Sequence, residues 1–375
     1  MHMKRIVLVG GGSGGHFYPL MAVAEALNAA RNTGFGAELY YLGPEPYNAE
    51  ALRENNITFV RCPSGKQRRY FSLLNFLDIF KVAFGFLSAI ISLYRIYPDV
   101  VFSKGSYTSV PVTLAAWFLR IPVVIHESDT KPGMASKIAA RFARYIAISF
   151  EDAAQYFPPS RTALTGIPLR NVFTEEVSHP NEELGLPTDK PLIFITGGSL
   201  GAERLNMLVL ESLDELLPGY VILHQTGIAH EASIQNTAAS MIGSAALLEH
   251  YFVKGTLSGR EMNLAMSAAS VVISRAGTGT IFEIATKGKP SIIVPIPESI
   301  SHDQTENAYA YARTGAATVL EEHNFADGLL AAKISRIMGD RDTYDKMSAA
   351  ARAFGHRNAG TQIADALIGI AQEHA

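Results

Sequence analysis

Short apolar runs alternate along the chain with longer segments whose apolar residues recur every three or four positions. The short runs suit strands buried on both faces, and the longer spacing suits helices with one face in a core. The predicted strands of the first half are Ile6–Val9, Leu39–Leu42, Val100–Phe102, Val123–Ile125 and Tyr145–Ile148. Those of the second half are Leu192–Thr196, Val221–His224, Val271–Ser274 and Ser291–Val294. Strand–helix alternation of this kind predicts an α/β protein with parallel sheets. Between the halves lie "YFPPSRTALTGIPLRNVF" and the polar "TEEVSHPNEELGLPTDKP", which mark a domain boundary. The halves also echo each other, because "IVLVGGGSGGHFYPLMAVAEAL" and "LIFITGGSLGAERLNMLVLESL" both read as strand, glycine turn and helix. The expectation is two Rossmann-like domains facing a cleft, with ligands at the carboxyl ends of their strands.

One segment departs from this alternation, Arg68–Asp99. Its longest uncharged apolar run, Val82–Leu93, falls short of the roughly 20 residues needed to span a bilayer, and Asp78 and Lys81 interrupt what precedes it. Two readings stay open: a buried helix or helix pair, or an apolar patch with a basic rim (Lys66, Arg68, Arg69, Arg95) resting on an anionic membrane.

Composition narrows the picture. At 375 residues two domains are the default, and 48% hydrophobic with only 18% charged residues describes a well-cored globular chain. A net charge of −3 with no long basic run gives no footprint for nucleic acid. Cys62 is the single cysteine, which excludes an internal disulfide and fits a reducing compartment. The opening "MHMKRIVLVGGG" reads as a strand running into glycines, not as a signal peptide.

Gly10, Gly12 and Gly15 satisfy the G-x-G-x-x-G spacing of dinucleotide sites, a weak signal by itself. Such a site also needs an acid closing the second strand, where this chain has "YYLGPEP", with Glu38 too early and Glu45 beyond a turn. A tight structural turn is one alternative; an anion held by backbone N–H groups at a helix N-terminus is the other. His16 favours the anion, since a histidine kept neutral by the helix dipole is suited to take a proton from a hydroxyl. His224, His230, His302 and Asp303 lack metal-ligand spacing, and Asp340 and Asp342 read as a helix cap.

The blocks "GGGSGGHFYPL", "HESDTKPGMASK", "TGIPLR", "TGGSLGAERLN", "SRAGTGTIFEIATKGKPSIIVPIP" and "HDQTENA" occur in an order that resembles the MurG-type glycosyltransferases, over essentially the whole chain. The resemblance implies a GT-B fold: an N-terminal acceptor- and membrane-facing domain (1–166), a donor domain (167–355) and a final helix (about 356–375) crossing back to the first. It implies an inverting transfer of N-acetylglucosamine from UDP-N-acetylglucosamine to the muramoyl C4 hydroxyl of an undecaprenyl-diphosphate-linked acceptor, lipid I, at the cytoplasmic face of the membrane, without a cofactor or a metal in the chemical step. By the same resemblance His16 is the base, and Ser13, Gly14 and Gly15 are donor-binding positions in a loop that meets diphosphate, with Gly14 and Gly15 also candidates for the acceptor's. Asp129, Arg170, Ser199, Leu257, Thr278, Gly279, Thr280, Ile281, Phe282, Glu283 and Gln304 match donor-binding positions, Glu283 taking the ribose hydroxyls and Leu257 marking the uracil contact.

The chain departs from the family at Asp129, where Asn is usual, and at Ile167, Leu200 and Asp303. Asp129 and Asp303 fall where the donor sugar is expected. Two alternatives therefore stand beside the first reading: a UDP-sugar glycolipid synthase with another membrane acceptor, and a non-catalytic sugar-nucleotide-binding protein.

Overall fold

The structure, a computed structural model, describes residues 3–64, 74–198, 201–297, 302–355 and 358–373, with backbone alone at 32–33, 74–83 and 302–303. The chain forms two units, 1–171 together with 357–375, and 172–356.

The first unit holds a sheet of seven parallel strands: β1 (Lys4–Val9), β2 (Ala37–Gly43), β3 (Ile57–Arg61), β4 (Val100–Ser103), β5 (Val123–Glu127), β6 (Tyr145–Ile148) and β7 (Thr162–Leu164). Their order is β3-β2-β1-β4-β5-β6-β7. Strand residues alternate between two cores. Ile6 and Leu8 pack with the helices Gly14–Ala29 and Ala359–Glu373, whereas Val7 and Val9 pack on the other face with Ala89 and Leu93 of the helix Leu74–Ile96 and with Val112 and Ala115 of the helix Val110–Phe118. The C-terminal helix thus belongs to the first unit, as expected. Gly360 brings it close to the first helix, because a Cβ there would stand 3.3 Å from the Ala22 carbonyl oxygen.

The second unit repeats the plan with β8 (Leu192–Thr196), β9 (Val221–Gln225), β10 (Tyr251–Lys254), β11 (Val271–Arg275), β12 (Ser291–Val294) and β13 (Ala317–Val319), all parallel. Their order is β10-β9-β8-β11-β12-β13. Ile193, Ile195, Val271 and Ile273 face the helices Glu203–Leu216 and Leu329–Gly339.

Both sheets reverse their strand order beside the first strand of the unit: between β1 and β4, and between β8 and β11. At such a switch point the loops leaving the carboxyl ends diverge and open a crevice, which is where doubly wound sheets take ligands. In each unit the glycine loop leaves one of these two strands.

Among the described residues no helix is long and apolar enough to cross a membrane. Of the Arg68–Asp99 segment and its basic rim, Lys66, Arg68 and Arg69 lie outside the described residues. The helix Leu74–Ile96 divides its faces: Ala89, Leu93 and Ile96 are buried, while Phe84, Leu87, Ile91 and Tyr94 are between 52% and 74% exposed. Those four recur at helical spacing, so they form one apolar stripe. Trp117 and Phe118 on the adjoining helix are also exposed. Phe86 belongs with the core side, its ring 6.2 Å from that of Phe118.

Candidate active site

In the first unit, β1 ends at Val9 and the chain turns through three glycines. Gly12 adopts φ +81°, and a Cβ on Gly11 would lie 2.5 Å from the Tyr41 hydroxyl, so neither position admits a side chain cheaply. Tyr41 props this turn by donating its hydroxyl to the Gly10 carbonyl at 2.6 Å. Ser13 then takes extended backbone, and its carbonyl accepts from the N–H groups of His16 (3.2 Å) and Phe17 (3.1 Å), which starts the helix Gly14–Ala29. The first N–H groups of a helix lack intrahelical acceptors, and here two of them belong to glycines. A Cβ at Gly15 would meet nothing nearer than Ser13 Oγ at 4.0 Å, whereas one at Gly14 would stand 3.3 Å from the Tyr47 hydroxyl oxygen and 3.4 Å from the Tyr18 ring. Helix N-termini of this kind are suited to anions.

His16 stands over this turn, with Nδ1 2.8 Å from Ser13 Oγ. Burial, then the nearby Lys104 ammonium, lower its pKa to about 4, against an upward pull from Asp129. The imidazole is therefore neutral at neutral pH. Glu127 ends β5 and is buried; its Oε1 accepts from the Asp129 N–H and its Oε2 from the Gly133 N–H, both at 3.1 Å. Glu127 thus shapes the loop that follows β5 as a hydrogen-bond acceptor. Asp129, half-buried, sits on that loop.

Lys104 was not legible as a site residue. It follows β4 directly, donates its backbone N–H to the Val9 carbonyl at 2.9 Å, and is 2% exposed. Its ammonium donates to Ser128 Oγ at 2.6 Å. Only the pairing of β4 with β1 carries it beneath the glycine turn.

Arg170 also lies in the first unit, its guanidinium 4.4 Å above the centre of the Tyr18 ring. No acid closes β2 as a dinucleotide site requires. Glu38, at the opposite end of that strand, accepts from Arg5 Nε at 3.1 Å and from the Tyr40 hydroxyl at 2.9 Å.

In the second unit the corresponding turn follows β8. Gly198 and Gly201 take φ +83° and +78°; Ser199 lies outside the described residues. Thr196 Oγ1 accepts the Gly198 N–H at 3.1 Å. Beneath the helix that follows, Asn206 donates to the Thr226 carbonyl at 3.1 Å and meets His224 Nε2 through its Oδ1, while His224 Nδ1 lies 2.8 Å from the Tyr251 hydroxyl. A Cβ on Gly201 would stand 2.1 Å from the Thr226 carbonyl oxygen. Gly201→Ala is therefore expected to destabilise the protein by about 2 kcal/mol or more through combined strain and overpacking. A thermal unfolding midpoint equal to that of wild type would refute this close approach.

After β11, Gly277 precedes the helix Thr278–Thr286. Glu283 therefore falls in the second turn of that helix, and it is half-buried. Ile281 and Phe282 are fully buried, with the Phe282 ring 4.8 Å from that of Phe354, so their side chains serve the core. Thr278 Oγ1 accepts from Asn307 Nδ2 at 3.3 Å, and Gly279 and Thr280 are half-buried. Gln304 Oε1 accepts from the Ile296 N–H at 3.3 Å, which ties its helix to the loop after β12. Leu257 is half-buried just before the Ser258–Glu261 capping box. The side chain of Asp303 lies outside the described residues. Asp340 caps its helix, accepting from the Asp342 N–H at 3.1 Å. No group of three His, Cys, Asp or Glu residues among the described residues is arranged to hold a metal ion.

Two Rossmann-like units, each a parallel sheet with a glycine turn at its switch point, define a doubly wound class of fold that takes ligands at those turns. Residues 6–148 match the glycosyltransferase family 28 N-terminal domain, and residues 192–363 match the glycosyltransferase family 28 C-terminal domain. The chain belongs to this family, and its fold is GT-B. It is 36% identical to the UDP-N-acetylglucosamine--N-acetylmuramyl-(pentapeptide) pyrophosphoryl-undecaprenol N-acetylglucosamine transferase of Treponema denticola, over 85% of this chain and 84% of that one. It is likewise 36% identical to a so-named transferase 3 of Bacillus thuringiensis, over 92% and 94% of the two chains. Among solved structures, MurG of Acinetobacter baumannii superposes with a TM-score of 0.75 at 26% identity, covering 97% of this chain and 99% of that one. The UDP-GlcNAc 2-epimerase of Neisseria meningitidis, bound to UDP-GlcNAc, shares the fold at TM-score 0.70 and 15% identity, over 98% and 100%.

Proposed function

We propose that this chain transfers N-acetylglucosamine from UDP-N-acetylglucosamine to the C4 hydroxyl of the muramoyl sugar in lipid I, forming lipid II with inversion at the anomeric carbon. The observation that carries the chemistry is a neutral His16 beside unpaired helix amides. With Nδ1–H donating to Ser13 Oγ, Nε2 is left to accept a proton. His16 takes the C4 hydroxyl proton as the oxygen attacks the sugar's C1 from the face opposite UDP. The C1–O bond to UDP breaks and the diphosphate keeps the electron pair.

The acceptor's diphosphate is assigned to the amides of Gly14 and Gly15, with Ser13 on the donor side of the same loop. On the donor, Glu283 takes the ribose hydroxyls, the Thr278–Glu283 helix start and Ser199 meet the diphosphate, Leu257 marks the uracil site, and Gln304, Asp129 and Arg170 complete the set. For Ile281 and Phe282 only the backbone enters this assignment, since both side chains are buried. UDP and UDP-N-acetylglucosamine should raise the melting temperature where NAD and NADP do not. Stabilisation by a dinucleotide and not by UDP would overturn the donor assignment.

The exposed stripe Phe84, Leu87, Ile91 and Tyr94, with Arg95 beside it, supports a peripheral position on an anionic leaflet, at the cytoplasmic face where a lipid acceptor is met. Changing Phe84, Leu87 and Ile91 together to Ser is expected to release the protein from anionic vesicles in co-sedimentation, and added salt to weaken binding of wild type. Sedimentation of the triple variant equal to that of wild type would remove the membrane role from this stripe.

A further inference from the structure

Lys104 buries an ammonium group beside the proposed base, where no substrate can touch it. A buried cation is costly unless it is paired, so its surroundings indicate its use. The group stands beneath the glycine turn: a Cβ on Gly10 would lie 3.0 Å from Lys104 Cβ and 3.2 Å from the His16 carbonyl oxygen. Its Nζ donates to Ser128, the residue between Glu127 and Asp129. Both carboxylates stabilise its charge, while burial opposes it more strongly. Glu127 is itself pushed up by burial and then by the neighbouring Asp129 carboxylate. Among the described residues, the groups acting on His16 include Ser13, Lys104 and Asp129, and those around Lys104 include Ser128, Glu127, Asp129, His16 and the buried His126.

We propose that Lys104 is a positioning residue: it is a countercharge to Asp129 and Glu127 beneath the glycine turn, and together with burial it favours the neutral form of His16 that proton abstraction needs. The chain places a carboxylate at Asp129, close enough to draw a proton onto the imidazole. The buried ammonium cancels that pull without reaching the substrate. Its catalytic consequence rests on His16 being the base; the charge pairing does not.

The test is a titration of His16 by NMR in the intact protein, beside the acid limb of kcat/KM. Lys104→Met removes one positive charge from beside Asp129 and Glu127, so His16 is expected to titrate higher by about one pH unit or more. Lys104→Arg keeps it low, and Lys104→Met combined with Asp129→Asn brings it back towards wild type. Should Lys104→Met fail to fold, a folded double variant demonstrates the same coupling, and a double variant as unfolded as the single overturns it. An unmoved His16 in Lys104→Met overturns the proposal outright. If the NMR titration moves and the rate profile does not, the countercharge stands, and what fails is His16 as the base.

Discussion

Replacing His16 with Ala should lower kcat by roughly 10²–10⁴ while changing UDP affinity little. The imidazole is held by Ser13 at the first turn of a helix, where dipole, burial and Lys104 all oppose its protonation. It contacts the reaction only as the hydroxyl proton leaves, so its loss falls on the chemical step. Because its pKa is lowered to about 4, activity should not decline from loss of the neutral base until the pH approaches that value. A His16→Ala variant turning over within a few-fold of wild type would assign proton transfer to another group.

Glu283→Gln should weaken UDP and UDP-N-acetylglucosamine alike. A carboxylate accepting two ribose hydroxyls makes two charge-assisted hydrogen bonds, each contributing about 1.5–3 kcal/mol. An amide retains one acceptor oxygen and presents a donor to the other hydroxyl. The expected result is a Kd raised on the order of 10-fold to 100-fold, with the unfolding midpoint held, since Glu283 stands half-buried on a helix whose core contacts come from Ile281, Phe282, Ile284 and Ala285. Unchanged UDP affinity by calorimetry would move the donor away from this helix.

Legibility in the sequence followed burial. The nine strands read from apolar runs were all found, within a residue or two at their ends. The four missed, Ile57–Arg61, Thr162–Leu164, Tyr251–Lys254 and Ala317–Val319, are the four outer strands of the two sheets. An outer strand pairs on one side only and is short or part-exposed: "TAL" offers only two apolar residues in succession, and no residue of "YFVK" is fully buried. The glycine turn and His16 were legible because their chemistry is local in the chain. Lys104 was not, because "SKGSYTS" reads as a polar loop. Its importance arises from β4 lying beside β1, a neighbour 94 positions away in their register from Ile6 to Val100. The signal available was its place immediately after a strand that flanks the switch point. Ile281 and Phe282 show the converse, since motif resemblance marks positions without distinguishing a backbone contact from a buried side chain.

Asp129 makes the sugar the sharpest point of the account. An ionised Asp accepts hydrogen bonds but cannot donate one, unlike the Asn usual there. The most direct test is transfer to a lipid I analogue, with kcat/KM compared for UDP-N-acetylglucosamine, UDP-glucose and UDP-N-acetylgalactosamine, in wild type and in Asp129→Asn. The account predicts a lipid II product with inverted anomeric configuration and UDP-N-acetylglucosamine as the preferred donor of the wild type. No transfer to the lipid, or another donor preferred by more than about tenfold, equivalent to about 1.4 kcal/mol of transition-state discrimination, would contradict it.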